Sequence, residues 1–319
     1  MNEFDIIKHY FAIQNKQRND VVVGIGDDAA IVNIPQGYQL AVTTDTLIAG
    51  VHFPMTTSPY DIGHKSLAVN LSDLAAMGAA PAWVTMALSL ADDNPEWLRS
   101  FCEGFFTLAN RYQVQLIGGD LTHGTLSITV QAMGLIPPHK ALLRSQAKPG
   151  DLIYVTGTIG DAGLALRFLQ NRIHLDKQYQ HSVLDKLNRP EPRIVVGEYL
   201  RGIASAAIDI SDGLAADLGH ILEQSRMGAI LYVDRLPLSE AVSHSLPHEE
   251  TIALALTAGD DYELCFTVPA KHRLELEKQL AQIACRFTCI GEIRREPGLE
   301  LINQNGSKYH GPTTGYQHF

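Results

Sequence analysis

Nowhere in this 319-residue chain is there a run of lysines and arginines, and 25 basic residues against 35 acidic ones leave a formal net charge of −10. Such a chain has little to attract a phosphodiester backbone, so no nucleic-acid partner is expected. A phosphorylated small molecule would need divalent cations to approach it. Long hydrophobic runs are missing too: apolar stretches break within about ten residues, short of the roughly 20 that a membrane span needs. The opening MNEFDIIKHYFAIQ lacks the basic start and apolar core of a secretory leader, so a cytoplasmic protein with no membrane partner is expected. Cysteines are few. Cys102, Cys265, Cys285 and Cys289 form no CxxC, and the last two fall in CRFTCIG, which reads as a strand. Buried thiols are expected rather than a metal knuckle.

What is present is the composition of a globular protein, 45% hydrophobic and 19% charged, long enough for two domains of roughly 150 residues. VVVGIGDDAAIVNI and YQLAVTTDT read as strands separated by PQG. SPYDIGHKSLAVNLSDLAAMG reads as a helix opened by Ser-Pro and stopped at Gly78. WVTMALSL is a strand, DNPEWLRSFCEGFFTLANRY a capped helix, and VQLIGGD and LSITVQAMGLI are strands again. AKPGD, residues 147–151, marks a boundary. Beyond it, DLIYVTGTIGDAGLALRFL and SAAIDISDGLAADLGHILEQ each read as strand, turn and helix, and a polar helix is expected near 270–284. The fold class is therefore α+β, with an N-terminal domain over 1–140 and a C-terminal α/β domain over 148–319.

The aspartates gather where apolar runs end: GDDAA (Asp27, Asp28), TTDT (Asp45), LSDLAAMG (Asp73), IGGD (Asp120) and IDISDG (Asp209, Asp212). Such rims are where polar groups converge without crossing a core. Taken singly, the aspartates of GDDAA and IGGD are explained by Asx turns and Asp212 by a helix cap. Asp73 is different. It continues a polar stripe with Ser66 and Asn70 on a mostly apolar helix, and a carboxylate buried there is costly unless paired or metal-bound. Hard oxygen ligands without His or Cys suit Mg²⁺, Mn²⁺ or Ca²⁺, with Thr43 and Thr44 as further oxygens beside Asp45. Half a dozen carboxylates exceed the needs of one Mg²⁺, so several ions and a polyphosphate are implied, as at an ATP-using phosphoryl-transfer site. VTGTIGDAG could offer backbone N–H groups to an anion or merely pack a helix tightly. It is neither GxGxxG nor a P-loop, and no HRD or DFG occurs, which excludes the usual kinase classes.

Taken in order, GIGDDAA, TTDTLIAGVHF, AVNLSDLAAMGAAPAW, QLIGGD, RSQAKPGD, VTGTIGDAG, IDISDGL, GDDYELCFTV and GYQHF resemble the thiamine-monophosphate kinase family of the aminoimidazole ribonucleotide synthetase-like superfamily. The resemblance runs nearly end to end. It implies that superfamily's two-domain fold and a homodimer whose N-terminal sheets pair into a barrel. It also implies ATP-dependent conversion of thiamine monophosphate to thiamine diphosphate. By motif, Asp28, Thr43, Thr44, Asp45, Asp73, Asp120, Asp209 and Asp212 correspond to the family's Mg²⁺ ligands. Gly119, Asp120, Arg144 and Ser211 correspond to ATP contacts, and His52, Asp260 and Tyr316 to substrate contacts. Where the family commonly has Glu, this chain has Asp260, one methylene shorter, and Asp261 or Glu263 could share its role. A phosphate monoester with a second pKa near 6 is already ionised at neutral pH. No general base and no residue forming a covalent intermediate is therefore required; direct in-line transfer is expected.

Overall fold

Alternation in Gln39–Ile48 puts Thr43, Asp45 and Leu47 on one side and Leu40, Val42, Thr44, Thr46 and Ile48 on the other, the period of a strand covered on one face. A computed structural model bears this out, with the second set exposed and the first half-buried or buried. The structure describes residues 2–12, 17–280, 282–283 and 285–316. Gln317, His318 and Phe319 of the GYQHF motif lie outside the described residues, as do parts of the helix expected near 270–284. The chain forms two compact units, Met1–Leu74 with Ala79–His139, and Ala75–Gly78 with Lys140–Phe319.

In the first unit, β1 (Val21–Val23) and β2 (Ile31–Val32) pair antiparallel. VVVGIGDDAAIVNI is thus a hairpin rather than one strand, because the chain turns back at Gly26, whose φ is 124°. The main sheet has the order β3-β6-β4-β5, built from β3 (Gln39–Ile48), β4 (Ala80–Leu90), β5 (Gln115–His123) and β6 (Ser127–Ile136). The β4/β5 pair is parallel, while β3/β6 and β4/β6 are antiparallel, which leaves β3 and β5 at the edges. After the short α1 (Glu3–Ile6), the long helices are α2 (Pro59–Ala76) and α3 (Pro95–Arg111). Asn94 caps α3 by accepting the N–H groups of Glu96 and Trp97, as its Asn-Pro start predicts. The two helices touch backbone to backbone: a Cβ on Gly63 would lie 2.1 Å from the Phe101 carbonyl oxygen, and one on Gly104 would lie 1.9 Å from that of Tyr60.

In the second unit a six-stranded sheet runs β12-β9-β11-β7-β10-β8. Its strands are β7 (Asp151–Thr156), β8 (Ala206–Asp209), β9 (Gly228–Tyr232), β10 (Leu264–Pro269), β11 (Phe287–Arg294) and β12 (Gly298–Ile302). Among the described residues seven α-helices accompany it: α4 (Asp161–Leu169), α5 (Lys177–Asn188), α6 (Ile194–Leu200), α7 (Leu214–Ser225), α8 (Glu240–Ser245), α9 (His248–Thr257) and α10 (Arg273–Leu280). One apolar core joins the sheet to α7 and α9, and a second joins α4, α5, α8 and α9. Cys102 and Cys265 are buried as expected, but Cys285, just before β11, and Cys289, within it, are only half-buried. Among the described residues no helix is long and apolar enough to cross a membrane.

Candidate functional site

On the first unit, the inward face of β3 meets α2. The Thr43 hydroxyl donates a short hydrogen bond to Oδ2 of Asp73, and Asp45, two residues along the same face, feels the same carboxylate. Burial, reinforced by Asp73, pushes the Asp45 carboxyl up to about 6. Two carboxylates in mutual repulsion with a hydroxyl beside them are hard oxygen donors of the kind that could hold a divalent cation. The side chain of Thr44 is not part of this group: it points to the other face of β3, where Gln131 Nε2 donates to its Oγ1 at 3.4 Å. His52 follows in the turn after β3, its Nδ1 accepting the Ile48 N–H at 3.0 Å. Lys65, buried on α2, donates to the His52 carbonyl at 3.3 Å.

Asp28, Gly119 and Asp120 line a second feature of this unit, a cavity of about 580 Å³ shared with Asp27, Met86 and Phe11. Gly119 is required there. Its φ is 154°, and a Cβ would lie 1.9 Å from the Met86 carbonyl oxygen across the β4/β5 pair, so only glycine lets the strands close beside Asp120.

On the second unit, β8 delivers Asp209, 3% exposed, to the start of a tight loop, Ile210–Gly213, that carries Ser211 and Asp212. The Asp260 N–H donates to the Ser211 carbonyl at 2.9 Å, that of Tyr262 to the Ile210 carbonyl at 2.8 Å, and that of Tyr316 to the Asp212 carbonyl at 2.9 Å. Two predicted substrate residues, Asp260 and Tyr316, therefore converge on the predicted ATP and metal loop. Asp260 and Tyr262 adopt left-handed backbone conformations, φ 68° and 48°, an uncommon geometry that concentrates at functional sites. The Tyr262 hydroxyl donates to Oδ1 of Asp260 at 3.1 Å and orients that shorter carboxylate. Glu263 is committed elsewhere: it is 2% exposed, accepts the Thr156 hydroxyl at 2.6 Å and is clasped by the Arg193 guanidinium. Asp261 is likewise buried and accepts the Gly160 N–H at 2.8 Å. Arg144 is exposed in a single turn of 3₁₀ helix whose carbonyl accepts the Ser225 hydroxyl at 2.8 Å.

The glycine turn VTGTIGDAG resolves to packing. The Gly157 N–H donates to the Arg286 carbonyl, and a Cβ on Gly163 would lie 2.4 Å from that of Ala258. Two participants escaped sequence reasoning, Tyr262 and Asp217. Asp217 lies in the first turn of α7, and one of its oxygens accepts the N–H groups of Ser211, Asp212 and Gly213. Burial raises this carboxyl to about 7. An acidic residue one turn into a helix that follows a Ser-Asp-Gly turn was the available signal, the logic of a capping box. Among the described residues no three His, Cys, Asp or Glu side chains form a metal-holding group on their own. The predicted ligands instead occur as Asp45 with Asp73, as Asp28 with Asp120 on one cavity, and as Asp209 with Asp212 on one loop.

Comparison with known proteins fits this division of the chain. Residues 26–136 match the AIR synthase related protein N-terminal domain and residues 148–303 its C-terminal domain. A thiamine-monophosphate kinase of Salmonella typhimurium is 48% identical over 319 residues, covering 99% of this chain and 98% of that one. The crystal structure of a thiamine-monophosphate kinase from Stenotrophomonas maltophilia superposes with a TM-score of 0.86 at 46% identity, covering 92% of this chain and 93% of that one. A structure of AaThiL complexed with AMPPCP and TMP superposes with a TM-score of 0.77 at 28% identity, covering 90% and 89%. With the two family models matched over both parts of the chain and a relative 48% identical over nearly its whole length, the chain belongs to the thiamine-monophosphate kinase family of AIR synthase related proteins.

Proposed function

We propose that this protein transfers the γ-phosphoryl group of ATP to thiamine monophosphate, giving thiamine diphosphate and ADP, and does so in the cytoplasm. The observation that carries the reading is the convergence of Ser211, Asp212, Asp260 and Tyr316 on one loop system, the residues that the family resemblance pairs with ATP, metal and substrate. The acceptor is itself a phosphate, already ionised at neutral pH, so the absence of an Asp-His base pair among these residues costs nothing. Repulsion is the barrier. Two unit anions about 4 Å apart at an effective dielectric near 20 repel by roughly 4 kcal/mol. Bound Mg²⁺ supplies the neutralising charge. The residues present fit it: Mg²⁺ takes one or two protein carboxylates and fills the rest of its shell with phosphates and water. Asp45 and Asp73 with the Thr43 hydroxyl form such a pair, and their mutual repulsion is what a cation would relieve. Asp28 and Asp120, and Asp209 and Asp212, are the other candidate pairs, for several ions in all.

The protein's own part is positioning. Asp260, turned by the Tyr262 hydroxyl, and the ring of Tyr316, 51% exposed, suit the cationic thiazolium end of the substrate. His52, Gly119, Arg144 and Ser211 are assigned to substrate and ATP on the family pattern. No residue forms a covalent intermediate. The domain assignment follows the same reading: residues 1–140 bind ATP and metal and dimerise, and residues 148–319 form the α/β domain. Edge strand β3 supports a homodimer, because its outward face carries Leu40, Val42 and Ile48, each 38–53% exposed, and such edges pair with other strands. The test is ADP release from ATP and Mg²⁺ with thiamine monophosphate, free thiamine or no acceptor, with thiamine diphosphate assayed in the same reactions. Thiamine diphosphate formed in step with ADP, from the monophosphate alone, is the expected result. ATP turnover without thiamine diphosphate would remove the substrate assignment.

A further inference from the structure

We infer that Asp217 is a positioning residue of the ATP and metal loop, an inference that rests on the kinase reading above. Its Oδ2 accepts three consecutive backbone N–H groups, from Ser211 at 3.0 Å, Asp212 at 3.1 Å and Gly213 at 3.1 Å, and the residue is 2% exposed. A helix cap would need only the last of these, from the N-cap residue Gly213; the other two lie before the cap of α7. Successive N–H groups curled round one anion are the arrangement with which proteins ordinarily bind a ligand's phosphate or carboxylate. Here the anion is the protein's own, so these three donors are withdrawn from phosphate binding. Ser211 is then left to meet ATP through its hydroxyl rather than its N–H, and Asp212 to meet a metal through oxygen atoms, its carboxylate first.

The opposite edge of the loop is fixed as well. The carbonyls of Ile210, Ser211 and Asp212 each accept an N–H, from Tyr262, Asp260 and Tyr316. With donors gathered by Asp217 and acceptors by the substrate-side segments, the backbone of residues 210–213 has no polar group left to rearrange. Such a loop presents its side chains without reorganisation when ATP arrives, which is how preorganised sites lower a barrier.

The experiment compares Asp217→Ala with Asp217→Asn, whose amide oxygen still accepts N–H groups. In the alanine variant the amides of residues 211–213 are expected to lose hydrogen-exchange protection by about tenfold or more, while those of β10 keep theirs. Affinity for AMPPCP with Mg²⁺ and kcat are expected to fall by about 10- to 100-fold, the usual effect of removing a partner that orients a ligand. The KM for thiamine monophosphate should move less than kcat. The asparagine variant should restore protection and most of the turnover. Unchanged protection at 211–213 in the alanine variant overturns the inference, and so does an asparagine variant as impaired as the alanine one. Should the alanine variant fail to fold, the asparagine variant decides alone: protection and turnover near those of the parent are expected, and loss of both overturns the inference. A parent protein that makes no thiamine diphosphate would refute the kinase reading, whereas the exchange measurement would still decide on Asp217.

Discussion

Replacing Glu263 by alanine tests the structural frame on which the second unit's loops hang. Its carboxylate accepts two bonds from Arg193, Nε at 2.6 Å and Nη2 at 2.5 Å, and the Thr156 hydroxyl at 2.6 Å, with Lys186 at 3.5 Å. Its backbone carbonyl accepts the Ile210 N–H at 2.8 Å, at the root of the Ser211–Asp212 loop. Arg193 is only 15% exposed, so truncating Glu263 strands a guanidinium without its anion. Lys186 is 40% exposed and adds little. Breaking one side of such a pair costs about 3–5 kcal/mol, which for a unit of this size lowers Tm by roughly 6–20 °C. The assay is thermal and urea denaturation of the parent, Glu263→Ala, and the cycle of Glu263→Met, Arg193→Met and the double variant Glu263→Met/Arg193→Met. Because a buried pair replaced by apolar side chains is often neutral, the double variant should be less damaged than the two single costs added together. A cost below about 1 kcal/mol for Glu263→Ala, or strict additivity in the cycle, would refute the reasoning.

Three further outcomes are expected. Asp45→Asn should lower kcat on the order of 100-fold or more at saturating Mg²⁺, yet without Mg²⁺ at pH 8 its Tm should equal or exceed the parent's, because the repulsion from Asp73 is gone; near-normal turnover would remove Asp45 from the metal set. Burial raises the Asp261 carboxyl well above its ordinary value, with Asp161 and Glu263 adding to the rise. The native state therefore holds that proton more tightly than the unfolded chain, and the associated stability is present at low pH and lost as pH rises towards the folded value. Relative to the parent, Asp261→Asn should thus gain Tm between pH 4.5 and 8, and a difference flat in pH would contradict the assignment. Burial pushes the Cys102 thiol up to about 12 and that of Cys265 higher still, so mass spectrometry after iodoacetamide at pH 8 should find both unmodified until the protein is denatured.

The elements legible in the sequence were those with local punctuation. Ser58-Pro59 and Gly78 bracket α2, Asn94-Pro95 opens α3, and the turn signal Pro35-Gln36-Gly37 announces β3. Helix α5 escaped because KQYQHSVLDKLN buries only Val183 and Leu187, too narrow a stripe to show a helical period against so polar a background. The turn between β1 and β2 does carry its own signal, the glycines and aspartates of GIGDDAA, but the apolar residues on either side of it merge into a single strand-like run. The candidate ligands were legible as aspartates where apolar runs stop, although β3 and β5 themselves continue past Asp45 and Asp120 and Asp73 lies on α2. Their pairing was not: Thr43 and Asp73 are 30 residues apart and meet only through the packing of α2 against β3. Thr44 shows the same limit in reverse, since its neighbours in sequence face the carboxylates and it does not. Asp217 looked like an ordinary helix-start acid, and its three bonds depend on a loop path that no spacing rule reports.

The two sets of bonds that hold residues 210–213 differ in when they can form. A ribosome adds residues one at a time, and Asp217 follows the loop by four to six positions, so its three bonds are available as soon as the first turn of α7 has been made. The bond from the Tyr316 N–H to the Asp212 carbonyl waits for about a hundred further residues, and closing so long a stretch costs only slightly more entropy than closing a moderate one. The Ser211 and Ile210 carbonyls wait for about fifty residues, until Asp260 and Tyr262 have been made. In order of synthesis the donors of this loop can therefore be gathered first and its acceptors last, the Asp212 carbonyl after all the others.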